Sequence, residues 1–150
     1  MSGTYSQILL HIVFSTKKRQ AWITPDIADR LYSYIGGLVR AKKGVLYCIG
    51  GAEDHMHMYI RWQPDGSVSD LMRTVKPRST RWVHDTFPSL RSFAWQEGYS
   101  VFSVSKSREK GVKAYIAGQA KHHKKEDFKS ELLRILRACD IEFDERYVFD

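Results

Sequence analysis

An α+β fold of the ferredoxin-like βαββαβ kind, with an antiparallel sheet and additional C-terminal helices, is what this sequence predicts. Three observations carry that reading: period-2 apolar segments that behave as strands, 3.6-period stripes between them, and a 150-residue chain without repeats or linkers. The first strand covers residues 5–15 and holds the run Ile8-Leu9-Leu10-His11-Ile12-Val13-Phe14. That run is short, contains a histidine and has no basic segment before it, so it reads as a strand and not as a signal peptide. Residues 17–22 are a loop. Thr24 then caps a helix with Pro25 at its first position; Ile27, Leu31, Ile35, Leu38 and Val39 form its stripe, and Gly44 ends it.

Residues 45–49 form a second strand, and Gly50-Gly51 starts the connection to a third, whose two faces alternate His55, His57, Tyr59, Arg61 with Met56, Met58, Ile60, Trp62. Gln63-Pro64-Asp65-Gly66 is a turn, after which Ser67 or Ser69 caps a helix bearing Val68, Leu71, Met72 and Val75. A fourth strand covers about residues 99–104. Helices over about residues 107–123 and 126–138 follow, the second leading into an acidic tail, so residues 1–150 make one domain. In this arrangement the helices are expected to cover one face of the sheet.

His55-Met56-His57 is the most informative short feature. Two imidazoles two residues apart project from one strand face and offer paired nitrogen donors for a divalent cation; the plainer reading is two solvated histidines on an open sheet face. A second constellation lies in Tyr115-Ile116-Ala117-Gly118-Gln119-Ala120-Lys121-His122-His123. On a helix Tyr115, Gln119 and His122 share a stripe, beside an apolar stripe of Val112, Ile116 and Ala120. A phenol one turn from an amide oxygen reads as a nucleophile beside a third metal donor, or as an ordinary tyrosine at the edge of a core. His122 and His123, at a helix end, read as DNA contacts or bases, or more simply as complementing the helix dipole, the reading preferred here.

Together these segments resemble the single-tyrosine HUH transposases of single-strand insertion sequences, and their relatives associated with repeated extragenic palindromes. The likeness runs from His11-Ile12-Val13-Phe14-Ser15-Thr16-Lys17-Lys18-Arg19 through the His pair and Leu71-Met72-Arg73-Thr74-Val75-Lys76 to Trp95-Gln96-Glu97-Gly98-Tyr99 and the tyrosine helix. The resemblance implies that His55, His57 and Gln119 bind Mg²⁺ or Mn²⁺ and that Tyr115 attacks DNA. It implies a nuclease and transposase that nicks and rejoins single-stranded DNA next to hairpins through a 5′-phosphotyrosine link. It also implies a homodimer in which the tyrosine helix of one subunit completes the His pair of the other. Pro77 departs from the pattern, and is expected to kink its helix.

Charge agrees with a polyanion partner. The net charge is +7, yet residues 126–150 hold four bases against eight acids, leaving +11 on the first 125 residues. One basic cluster is Arg73, Lys76, Arg78, Arg81 and Arg91; another is Lys106, Arg108, Lys110, Lys113, Lys121, Lys124 and Lys125. DNA contacts are assigned to Lys17, Arg19, Arg73, Lys76, Arg78, Arg81, Lys106, Arg108 and Lys110, with Trp95 and Tyr99 as base-stacking candidates or core residues. Cys48 and Cys139 lie far apart without metal-type spacing, and no stretch is long enough to span a membrane; a reduced, cytoplasmic protein is expected. The same βαββαβ order underlies RNA-recognition modules, but the Gly-Phe-Gly-Phe-like strand they need is missing. The residues are also compatible with a non-catalytic nucleic-acid-binding module, with a domesticated relative acting on palindromic repeats, and with a hydrolase that activates water at the His pair.

Overall fold

A computed structural model describes residues 3–123 and 126–149; Lys124 and Lys125 of the second basic cluster lie outside the described residues. Four strands, β1 (Ile8–Ser15), β2 (Val45–Gly51), β3 (His55–Trp62) and β4 (Ser100–Ser103), form one antiparallel sheet in the order β2-β3-β1-β4. This is the predicted ferredoxin-like order. The two longest helices are α1 (Pro25–Ala41) and α2 (Val68–Thr86). Their apolar stripes meet Leu10, Ile12, Phe14, Met56, Met58, Ile60 and Trp62 from one sheet face to make the main core.

Local chemistry explains the boundaries. Ser67, not Ser69, caps α2 and accepts the Asp70 backbone N–H at 3.0 Å. The helix continues through Pro77 without a break. At the end of α1 the left-handed position falls on Lys43 (φ 66°), not on Gly44. Gly44 is needed for space: a Cβ there would sit 2.9 Å from Val39 Cγ1 and 3.0 Å from the Trp62 ring.

The second sheet face departs from expectation, because it too is covered. A 3₁₀ turn at Lys106–Arg108 leads into α3 (Glu109–Ala117), Gly118 interrupts, and α4 (Gln119–His122) follows. The predicted single helix over residues 107–123 is therefore three pieces. Helix α5 (Phe128–Ala138) is capped by Asp127, which accepts the Ser130 N–H at 2.8 Å. Phe128, Leu132 and Leu136 of α5 bury Val13, while Ile116 of α3 packs on Leu9 and Tyr59. Each such buried side chain stabilises by roughly 1.5–3 kcal/mol, enough to hold a helix of three turns on the sheet. The physical reason lies in β1, whose outward positions Leu9 and Val13 are as apolar as its inward ones.

Candidate active site

His55 and His57 occupy the face beneath α3, α4 and α5 and are both 0% exposed, so the open-face reading of this pair does not hold. Their neighbours fix both rings. His55 Nδ1 lies 2.7 Å from Asp54 Oδ1, a carboxylate that can accept a hydrogen bond from Nδ1–H. Its Nε2 then faces Gln119 Oε1 at 3.0 Å and Glu131 Oε1 at 3.5 Å. Gln119 Nε2 donates to Glu131 Oε2 at 3.2 Å, which orients the amide and aims its oxygen at His55. An imidazole nitrogen, an amide oxygen and a carboxylate oxygen thus converge. That is a donor set for a cation, and it fits the divalent metal that the sequence suggested.

His57 is held likewise. Its Nδ1 is 2.7 Å from Nε2 of His11, the rings stack at 5.0 Å, and its Nε2 is 3.0 Å from Glu131 Oε1. Burial holds the His57 imidazole below its ordinary range, and burial together with His57 pulls His11 down to about 3, so both rings stay neutral. Neutral imidazole is the metal-binding form.

Tyr115 stands beside this pair, its ring 5.7 Å from that of His57, and its hydroxyl donates to Glu131 Oε2. Arg134 Nη2 donates to the same phenol oxygen at 3.4 Å. Burial, and then the Glu131 carboxylate, push the phenol up to about 12. One chain therefore brings Tyr115 and Gln119 to its own His pair. Gly50 makes this possible: it lies opposite His57 on β2, and a Cβ there would meet the Ile116 backbone oxygen at 2.6 Å. Only a glycine lets α3 come down so close to the sheet.

Glu131, His11, Asp54, Arg134 and His123 do not stand out as site residues in the sequence. Glu131 is the hub: it is fully buried and touched by His55, His57, His123, Gln119 and Tyr115. Burial alone would raise its carboxyl, but the hydrogen bonds it receives hold it well below the usual carboxylate range. His122 and His123 do not merely decorate a helix end; they turn toward Glu126 and Glu131.

The basic residues divide. A cleft of about 660 Å³ beside Tyr115 is lined by His11, Phe102, Arg108 and Arg134, and one of about 750 Å³ by Arg19, Tyr32, Asp54 and His123. Lys17, Lys106 and Lys110 are exposed near the turns that carry Arg19 and Arg108, although Lys106 pairs with Glu109. Arg73, Lys76, Arg78 and Arg81 sit on α2, across the sheet from the histidines. Lys76 donates to the Gln96, Glu97 and Gly98 carbonyls at 2.6, 3.0 and 2.5 Å, a structural use of its charge. Trp95 is buried against Phe14 and donates to Ser79 Oγ at 2.9 Å, and Tyr99 packs against the core. Among the described residues no helix is long and apolar enough to cross a membrane.

Comparison with known proteins gives the same picture. A family model described as "Transposase IS200 like" matches residues 4–119. The transposase for insertion sequence element IS200 of Salmonella typhimurium is 30% identical over 131 residues, covering 83% of this chain and 82% of that protein. The ISDra2 transposase TnpA of Deinococcus radiodurans is 22% identical over 122 residues, 78% of this chain and 87% of its own length. Among solved structures, a Deinococcus radiodurans R1 transposase superposes with a TM-score of 0.67 at 22% identity, covering 80% of this chain and 96% of that one. A REP-associated tyrosine transposase bound to a REP hairpin gives 0.57 at 14% identity over 79% and 70% of the two chains. These superpositions speak for the fold, the sequence matches for the lineage: the chain belongs to the IS200-like transposase family.

Proposed function

We propose that this transposase cleaves and rejoins single-stranded DNA with Tyr115 as nucleophile, at a metal held by His55, His57 and Gln119. The observation that carries the reading is the convergence of the phenol with two buried imidazoles and an amide oxygen in one site. Bound there, Mg²⁺ or Mn²⁺ would supply Lewis-acid polarisation of the scissile phosphate.

The chain's own residues do the rest. Tyr115 Oη forms the bond to phosphorus as the P–O3′ bond breaks; the upstream fragment leaves with a 3′-OH, and the downstream fragment stays on the protein through its 5′ phosphate. With the phenol raised to about 12, only on the order of 10⁻⁵ of it is ionised at neutral pH. Proton loss therefore accompanies attack and does not precede it: the phenol proton passes to Glu131 Oε2, which already accepts its hydrogen bond, and from there to the departing O3′, while the neighbouring Arg134 guanidinium stabilises the charge on the phenol oxygen. Because the phosphotyrosine keeps the bond energy, attack by a second 3′-OH reseals the strand and restores the phenol.

Single-stranded or hairpin DNA is the substrate that suits this site, since an in-line attack from a half-buried phenol needs a phosphate free of duplex geometry. The REP-hairpin complex of the structural neighbour supports a hairpin partner, with Arg19 and Arg108 placed at the mouths of the two clefts. Cleavage in cis follows from a site complete within one chain; a homodimer would bring two such sites, and two DNA ends, together.

The test is cleavage of end-labelled single-stranded DNA carrying hairpins from the native locus, with Mn²⁺ or Mg²⁺, by wild type and Tyr115→Phe. A covalent protein–DNA band that disappears in the variant and with chelator is expected. Cutting that persists in Tyr115→Phe would assign hydrolysis by water and overturn the tyrosine mechanism.

A further inference from the structure

We infer that Glu131 of α5 is an additional, anionic ligand of the metal, so that the C-terminal helix supplies part of the metal centre. This rests on the metal reading proposed above and goes beyond it. The family-model match ends at Gln119, whereas Glu131 and His123 lie past it.

Spacing is the first argument. In octahedral coordination with bonds of about 2.1 Å, adjacent donor atoms are roughly 3.0 Å apart and opposite ones roughly 4.2 Å. Glu131 Oε1 is 3.0 Å from His57 Nε2 and 3.5 Å from His55 Nε2, and Gln119 Oε1 is 3.0 Å from His55 Nε2. Donor atoms of His55, His57, His123 and Glu131 all lie within 4.8 Å of one another. The carboxylate already stands where a ligand adjacent to both imidazoles belongs.

Charge is the second. Two neutral imidazoles and an amide leave a dication uncompensated in a buried site, and a buried carboxylate without a cation is equally unfavourable. Among the described residues no lysine or arginine pairs with Glu131; the basic groups that reach it are histidines alone. Each problem resolves the other. A third sign is His123 Nε2, buried 3.1 Å from Glu131 Oε2 yet without a hydrogen-bond partner among the described residues. It is a spare nitrogen facing the same point.

The full chain is titrated with Mn²⁺ without DNA, by calorimetry and by loss of the free-ion electron spin resonance signal, for wild type, Glu131→Gln and His57→Ala. The expected result is saturable binding by wild type, none by His57→Ala, and binding at least about tenfold weaker in Glu131→Gln. Equal or tighter binding by Glu131→Gln, with His57→Ala still inactive, overturns the role of Glu131 and leaves the His-pair site standing. Absence of saturable binding by wild type overturns the metal site itself. Should Glu131→Gln fail to fold, Glu131→Asp keeps the charge and draws the carboxylate back by one methylene. Weakened Mn²⁺ binding by this variant supports the assignment and wild-type affinity refutes it.

Discussion

Replacing Gly50 with alanine tests how Tyr115, the proposed nucleophile, is placed. The new Cβ would lie 2.6 Å from the Ile116 carbonyl oxygen and 3.3 Å from Ile116 Cγ2. A relaxed carbon–oxygen contact is about 3.4 Å, so α3 has to rise from the sheet by roughly 0.8 Å. Tyr115 precedes Ile116 directly, and Gln119 follows three residues on, so both move with it. Overpacking of this kind costs about 1–3 kcal/mol, which lowers the melting temperature by roughly 2–12 °C in a chain of this size. A shift approaching 1 Å in a reacting group costs up to about 100-fold in rate. Gly111→Ala is the matched control: it lies on the same helix, nothing stands within 4 Å of its Cβ, and helix propensity makes it stabilising by up to about 1 kcal/mol. Melting and the rate of covalent adduct formation on hairpin DNA are measured for both. If Gly50→Ala melts and reacts like wild type, α3 is not seated on β2 as described and the account of Tyr115 placement fails.

Other outcomes follow from the same geometry. His11→Phe keeps a ring under His57 but removes the partner of Nδ1, so Mn²⁺ affinity should fall about 10–100-fold with the fold retained; unchanged affinity would refute the orienting role. In metal-free protein, His11 and His57 hold fewer protons folded than unfolded below about pH 6.5. Stability is therefore full above that pH and falls on acidification, by up to about 1.4 kcal/mol per pH unit for each histidine. Glu131, whose carboxyl is held low, adds a further loss only below about pH 4.5. Denaturant titrations at pH 7.5, 6 and 5 with chelator read the histidine slope, and a flat profile contradicts buried neutral imidazoles. Lys76→Met removes three charge-assisted bonds to the residue 96–98 carbonyls and should cost about 1.5–3 kcal/mol by melting. Its DNA affinity should stay near wild type, in contrast to Arg108→Ala; a large loss would restore Lys76 to the DNA surface.

What the sequence made legible is what local periodicity encodes. The alternation along β3 put His55 and His57 on one face, and the i, i+4 spacing put Gln119 one turn from Tyr115, both as found. Ferredoxin-like order followed from the succession of strands and helices. Long-range placements were less visible. His11 reaches His57 only because β1 pairs with β3 in a register that sets His11 opposite Tyr59 and Val13 opposite His57. Gly50 reads as a connector until α3 is seen resting on it. Lys76 reads as a surface cation because nothing nearby in sequence reveals the three carbonyls that its ammonium caps.

Glu131 was legible in one respect and hidden in another. Phe128, Leu132 and Leu136 define the buried stripe of α5, and position 131, three residues after Phe128, falls on that same face. A glutamate in such a stripe costs several kcal/mol unless something pairs with it, so its presence there points to a site. A charge tally conceals this, because it counts Glu131 among the eight acids of residues 126–150 and assigns them all to a solvated tail. The other described acids of that segment are exposed or half-exposed, as a tail requires. Glu131 alone is turned inward, onto two imidazoles, an amide and a phenol. Its position on the helix wheel, which net charge ignores, is what separates a residue of the candidate site from the acids around it.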